Sequence, residues 1–343
     1  VRKILLLAAG APLLGAIICV VGLYAYTGSY GFNVLLRRGG TVWVSVNPGD
    51  PRLSDSMRTA LTTEAVGEAG PLRWQNVGNG FDVSELPVLV GGQEVDRLLL
   101  ARIDPHRYQF VVRNAAAGNM GLQDWMAKLH AAIVINGSYY SPHGTPDTPL
   151  LSDHAQLGPT KYAAREGAFV ATDANASIDA SASIDASASI DTSASIEASA
   201  SILDLAHEDW QTAFRNADNA LVSYPLLVGG DPTEHRIKPS DWLANRSFVG
   251  QDGAGQIILG TTVNAFFSLS RLATFLRGSP LDLTYALNLD GGPVACQAIA
   301  VGHYARHFCG QWEIQKTDSA VKLLTWPYGS WALPVVLAAI PKH

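Results

Sequence analysis

Residues 283–292 read Leu283-Thr284-Tyr285-Ala286-Leu287-Asn288-Leu289-Asp290-Gly291-Gly292. The first seven suit a strand, and the two glycines end it. Successive side chains of a strand point to opposite faces. With Leu289 turned inward, Asn288 and Asp290 therefore share the other side. Paired glycines let a ligand approach the backbone and leave N–H groups free to donate. An aspartate in a tight turn before glycine is the ordinary alternative. Working outward, Ser268 or Ser270 can cap a helix bearing Leu269, Leu272, Ala273 and Leu276, stopped by Gly278 and Pro280. Before it, Ile257–Val263 reads as a strand, entered from a turn at Asp252-Gly253-Ala254-Gly255. Arg246 then sits on the strand preceding that turn. An arginine in a mostly apolar hairpin needs an anion partner, either a structural carboxylate or a ligand such as phosphate.

The same grammar occurs earlier in the chain. In Gly121–His130, Leu122, Trp125, Met126 and Leu129 recur at i, i+3, i+4 and i+7, one face of a helix. Ala131–Ile135 follows as a buried strand and ends at Asn136-Gly137-Ser138-Tyr139-Tyr140. An amide, hydroxyls and aromatic rings at a strand end suit sugar binding, although an ordinary polar turn has the same composition. Upstream, Val95–Ile103 and Tyr108–Val112 flank Asp104-Pro105-His106 and predict a hairpin. Residues 331–340 are too short to span a membrane and read as a core strand. The pattern predicts an α+β fold of mixed β-sheets with packed helices. Each of the two helix–strand units delivers polar residues to a strand end.

The 343 residues are 48% hydrophobic and 16% charged, enough apolar material for a large core. The net charge of −6 argues against a protein that coats nucleic acid. No charge occurs between Lys3 and Arg37, and Ile4–Tyr26 is long enough for a helix to cross a bilayer of about 30 Å. Tyr24, Tyr26 and Tyr30 suit its interface. The expectation is an uncleaved anchor in residues 1–30, a stalk or domain edge over 31–70, and one exported domain over 71–343. Its location would be the cytoplasmic membrane, with the domain in the periplasm or outside the cell.

Of the three cysteines, Cys19 falls in the anchor. Cys296 and Cys309 could bridge in an oxidising compartment or be two unrelated thiols. Residues 176–199 repeat a hexapeptide: ASIDAS twice, then ASIDTS and ASIEAS. Removing them leaves a plausible strand–turn–strand, so the repeat reads as an insertion within the domain. His303 and His307 at i, i+4 could ligate a metal from a helix, but no HExxH motif or third ligand accompanies them. No metal or cofactor is expected.

The order of these phrases is itself informative. RLLLARIDPHRYQFVV, a helix, AAIVINGSYY, YPLLVGGD, NRSFVGQDGAGQIILGTT, a leucine-rich helix and YALNLDGG follow one another. That succession resembles the phosphodiester glycosidase domain family, which includes the mannose-6-phosphate uncovering enzyme, over roughly residues 71–340. The resemblance implies hydrolysis of a sugar-1-phosphodiester, in an envelope or extracellular polysaccharide setting. It places the family's asparagine–glycine on Asn136 and Gly137, its arginine on Arg246, and its Asp-Gly-Gly on Asp290, Gly291 and Gly292. Two positions depart from the pattern. Ser138 replaces a second glycine, and Pro293, which has no N–H to donate, follows Gly292.

On this reading Arg246 holds the negative charge of the leaving phosphomonoester. Asp290 activates water or stabilises an oxocarbenium-like sugar. Asn136, Tyr139 and Asn288 bind sugar hydroxyls. A two-carboxylate scheme needs another acid, for which Asp153 and Asp252 are candidates. The rivals are a non-catalytic module that binds glycan or protein, and a metal-dependent hydrolase using His303 and His307.

Overall fold

The computed structural model describes residues 14–25, 42–141, 143–164, 166–172, 199–231, 235–317, 320–325 and 331–342. The repeat, except Ser199, lies outside the described residues. Residues 14–25 are helical, and among the described residues no helix is long and apolar enough to cross a membrane.

An eight-stranded sheet forms the middle of the fold. Along it run Leu226–Val228, Leu283–Asn288, Ser247–Asp252, Ile257–Thr262, Gln93–Ile103, Phe81–Val90 and Glu68–Ala69, with Gln75–Gly78 also pairing Phe81–Val90. It is covered on both sides, which is why its strands are nearly continuous apolar runs. Leu98 and Leu100 face one core with Leu86, Val88, Phe248, Ile258 and the helix Leu269–Arg277. Ala101 and Ile103 face the other, against Phe110, Val112, Ile133, Ile135 and Leu337. These last belong to a five-stranded sheet ordered Tyr304–Cys309, Cys296–Val301, Ile133–Asn136, Val335–Pro341, Tyr108–Asn114. The helix Leu122–Leu129 covers its outer face through Leu122 and Trp125.

A second five-stranded sheet runs Ser199–Asp204, Gly167–Thr172, Asn219–Ser223, Leu150–Ser152, Ala155–Leu157. A four-stranded sheet runs Val42–Val46, Val321–Thr325, Glu313–Lys316, Trp242–Ala244. The segment read as stalk or domain edge thus contributes a strand from Val42. It also contributes the helix Asp55–Thr62, capped by Ser54 and burying Met57 and Ala60.

The α+β class is observed, but the expected mixed pairing is not. Among the described strands every pairing is antiparallel. The physical reason is strand insertion. Each helix–strand unit crosses over to a strand of the same direction, and an oppositely directed strand fills the gap. Val335–Pro341 sits between Tyr108–Asn114 and Ile133–Asn136, and Ser247–Asp252 sits between Ile257–Thr262 and Leu283–Asn288.

The hairpin expected around Asp104-Pro105-His106 is also corrected. Gln93–Ile103 and Tyr108–Asn114 belong to different sheets. The turn carries the chain across the core, so that Ile103 and Phe110 face each other in one cluster instead of lying side by side. His303 and His307 are not on a helix. They lie at the turn and on the second strand of the hairpin Cys296–Val301/Tyr304–Cys309, so the spacing that suggested ligation does not exist. Cys296 and Cys309 are directly opposed on that hairpin and form a disulfide.

Candidate active site

The two strand ends marked in the sequence meet. The Asp290 backbone N–H donates to Gly137 O at 3.0 Å, and Asn136 Nδ2 donates to Asp290 O at 2.7 Å. Asn136 Oδ1 accepts from the Cys296 N–H at 3.1 Å. Both ends of this buried amide are therefore engaged with backbone, and Asn136 positions Asp290 where sugar contact was expected. Gly137 is likewise structural. A Cβ there would collide with Val335.

Asn288 is also corrected. It is fully buried, and its Nδ2 donates to the Tyr139 hydroxyl at 2.7 Å and to Tyr224 O at 3.1 Å. Tyr139 in turn donates to Tyr224 O at 2.9 Å and stacks on the Tyr224 ring with centroids 4.4 Å apart. Asn288 thus fixes the Tyr139 ring, and it is Tyr139 that lines the open cleft.

That cleft has a volume of about 320 Å³ and is lined by Tyr139, Lys238, Trp242, Arg246, Asp290, Gly291 and Glu313, among others. Arg246 and Asp290, more than forty positions apart in the chain, converge on it. The strand Ser247–Asp252 presents Arg246 at its start. The Arg246 N–H donates to Thr262 Oγ1, Nε to Phe267 O at 3.2 Å, and Nη2 to Trp242 O at 2.9 Å. Arg246 is only 7% exposed, and its guanidinium is bonded to carbonyls, not to a carboxylate. Its third nitrogen, Nη1, lies beside Gly291, where a Cβ would stand 3.3 Å away.

Asp290 Oδ1 accepts the Gly291 N–H at 2.8 Å, but burial dominates and raises the carboxyl to about 7. Nearby Glu313 raises it further, while Arg246 lowers it. Glu313 is itself raised by burial and lowered by Arg246. Burial disfavours a charged carboxyl, and an adjacent guanidinium favours it. Burial also lowers Arg246, although an arginine remains protonated at neutral pH. The result is a buried cation near two carboxyls that ionise reluctantly.

Glu313 was missed by the sequence reading. It sits on the strand Glu313–Lys316, and nothing around it forms a motif. Its partner is Gly292, whose φ of +68° and missing Cβ leave room for the Glu313 side chain. Of the acids considered instead, Asp153 pairs with Arg113 and Asp252 accepts from the turn N–H groups of Ala254 and Gln256. Neither lines the cleft.

Asn245 was missed as well. Its Nδ2 donates to Thr262 O and Val263 O, its Oδ1 accepts from Gln311 and Trp312 N–H, and its own carbonyl accepts from Gly292 N–H. One buried amide thus ties together the hairpin, the glycine turn and the Glu313 strand.

A family model described as phosphodiester glycosidase matches residues 130–314, which contain every cleft residue just named. No curated protein matches the sequence. Among solved structures, a hypothetical protein from Synechocystis aligns with a TM-score of 0.46 and 14% identity, over 80% of this chain and 64% of that one. This chain therefore spans less than two thirds of that protein's length. The catalytic domain of zebrafish N-acetylglucosamine-1-phosphodiester alpha-N-acetylglucosaminidase, auto-inhibited by its pro-peptide, aligns with a TM-score of 0.45 and 13% identity, over 84% and 88%.

Proposed function

The chain belongs to the phosphodiester glycosidase family, and from that premise we propose that it hydrolyses a sugar-1-phosphodiester, releasing the sugar and a phosphomonoester. The observation that carries the proposal is the buried Arg246 guanidinium. It is held by backbone carbonyls and faces a cleft shared with two carboxyls. A buried cation without a carboxylate partner is costly unless an anion occupies the site. A phosphodiester supplies that anion, and the negative charge on the leaving oxygen grows as the glycosidic bond breaks.

The reaction balances with groups in the cleft. Water attacks the anomeric carbon as the C–O bond to phosphate breaks, and the electron pair leaves with the phosphate oxygen. Ionised Asp290 takes the proton of the attacking water. Arg246 bonds the departing phosphomonoester, and Tyr139 offers a ring face to the sugar. Glu313 supplies the second carboxyl, which when ionised favours the positive charge developing on the oxocarbenium-like sugar.

An exported, membrane-anchored setting is part of the proposal. The uncharged apolar run 4–26, helical over 14–25, supports an anchor, and the Cys296–Cys309 disulfide supports an oxidising compartment.

The test is turnover of a panel of sugar-1-phosphodiesters by the full chain in detergent micelles, read as phosphomonoester release. Turnover lost in Asp290→Asn is expected. Wild-type chain that binds the panel without releasing sugar would replace the hydrolase with a glycan-binding module.

A further inference from the structure

The four-stranded sheet has two unlike faces. Directly opposed residues of neighbouring strands lie on one face. Val44, Leu323, Ile314 and Leu243 are in register across all four strands and pack into the core. The next level in register is Trp43, Leu324, Glu313 and Ala244, on the opposite face, and Trp242 lies two residues before Ala244 on that same face. A cleft carboxyl and two indoles thus stand on one sheet surface. Trp242 lines the cleft, and Trp43 packs edge-on against it with ring centroids 5.8 Å apart and planes at 89°.

Neither indole is used as core. Trp43 is 39% exposed and Trp242 is 40% exposed, although each has a large apolar area that folding would ordinarily bury. Two adjoining half-open aromatic rings, one of them lining the cleft that holds Arg246, Asp290 and Glu313, mark a binding surface. The apolar face of a pyranose ring is flat and carries C–H groups that stack on an indole, while its hydroxyls stay in water. The cleft also adjoins a second cavity, of about 380 Å³. Ser240 lines both, and the walls of the second include Asp241, Ser270 and Thr274.

We infer that Trp242 and Trp43 form an outer saccharide subsite, continuous with the cleft, that binds further sugar units beside the scissile linkage. The inference rests on the hydrolase reading for its substrate and makes that substrate an oligosaccharide or polysaccharide. Trp43 lies outside the span matched by the family model, so this platform is partly built by the strand Val42–Val46.

Binding and turnover are measured separately. The full chain in detergent micelles is titrated by intrinsic tryptophan fluorescence with phosphate-free cello-, malto-, manno- and chito-tetraoses. At least one is expected to bind, and Trp43→Ala is expected to weaken it by roughly tenfold, the scale of a lost aromatic contact, with Trp43→Phe retaining most of the affinity. Trp242→Ala is expected to weaken it likewise, and Trp242→Phe to retain most of the affinity. No binding by any tetraose, or binding by Trp43→Ala equal to wild type, overturns the subsite. A second arm reconstitutes the full chain in vesicles with brominated acyl chains. Quenching that differs between wild type and Trp43→Phe would place the indole in lipid and also overturn it. Turnover of a one-sugar phosphodiester without tetraose binding would remove the subsite and leave the hydrolase. Tetraose binding without any turnover would do the reverse.

Discussion

Asp290 is useful as a base only when ionised, and burial holds it up to about 7. Activity should therefore rise with pH through about 7 and level off above it, measured as kcat/KM on a cleaved phosphodiester. Asp290→Asn should remove that limb and lower kcat by roughly 100-fold or more, the scale of a lost general base. The stability effect has the opposite sense. A carboxyl whose folded pKa lies above its unfolded value destabilises the fold once ionised, so its cost is absent below about 4 and complete above about 7. Asp290→Asn should accordingly stabilise the protein at pH 8, by on the order of 2 kcal/mol, and do little at pH 3.5; thermal melts at the two pH values check this. Arg246→Lys keeps the charge but cannot reproduce both carbonyl bonds while also reaching the cleft. A loss of roughly 100-fold in kcat/KM is expected, because a fork of donors is replaced by one ammonium.

Single elements matter where they join others. Asn245 makes four side-chain hydrogen bonds to the hairpin and to the segment that carries Glu313. Asn245→Ala leaves those backbone groups unsatisfied and should cost about 2–4 kcal/mol in denaturant unfolding, with activity lost beyond what the stability change explains. The hexapeptide repeat is a contrasting case. Thr172 and Ser199 face each other at the open end of the antiparallel pair Gly167–Thr172/Ser199–Asp204, so the ends of the insertion are already adjacent. Deleting residues 176–199 should preserve folding and keep turnover within about twofold, because Thr172 and Ser199 are already paired and closure entropy changes only slowly with the length of the connection between them. Loss of the folded state on deletion would show that the repeat contributes to the core.

Across the whole molecule, the site is where three sheets meet. The eight-stranded sheet delivers Arg246 and Asp290, the five-stranded sheet delivers Asn136 and Gly137, and the four-stranded sheet delivers Glu313 and Trp242. The Cys296–Cys309 disulfide fastens the hairpin at which two of these meet, since Gly310 N–H donates to Ala295 O and Cys296 N–H to Asn136. Replacing both cysteines by serine should lower stability by about 3 kcal/mol for a loop of this length, read as a lower Tm. Reductant should have the same effect on wild type and none on the double variant.

Local pattern determined a good deal. Periodicity marked the helix Leu269–Arg277 and the strands around it, and the glycine-ended strand marked Asp290. The motif order placed Arg246 and Asp290 in one cleft, and both line it. Those signals are short-range, carried by residues within a turn or a strand of each other. Strand partners are long-range, and a turn such as Asp104-Pro105-His106 has the same composition whether it closes a hairpin or crosses between sheets. Only the tertiary structure decided that Glu313, which has no motif, shares a cleft with Asp290, that Asn136 spends both ends of its amide on backbone, and that Asn288 spends its Nδ2 on Tyr139 and Tyr224 O. A buried amide must satisfy its donors and acceptors with whatever the fold brings near, and the sequence alone does not say what that will be.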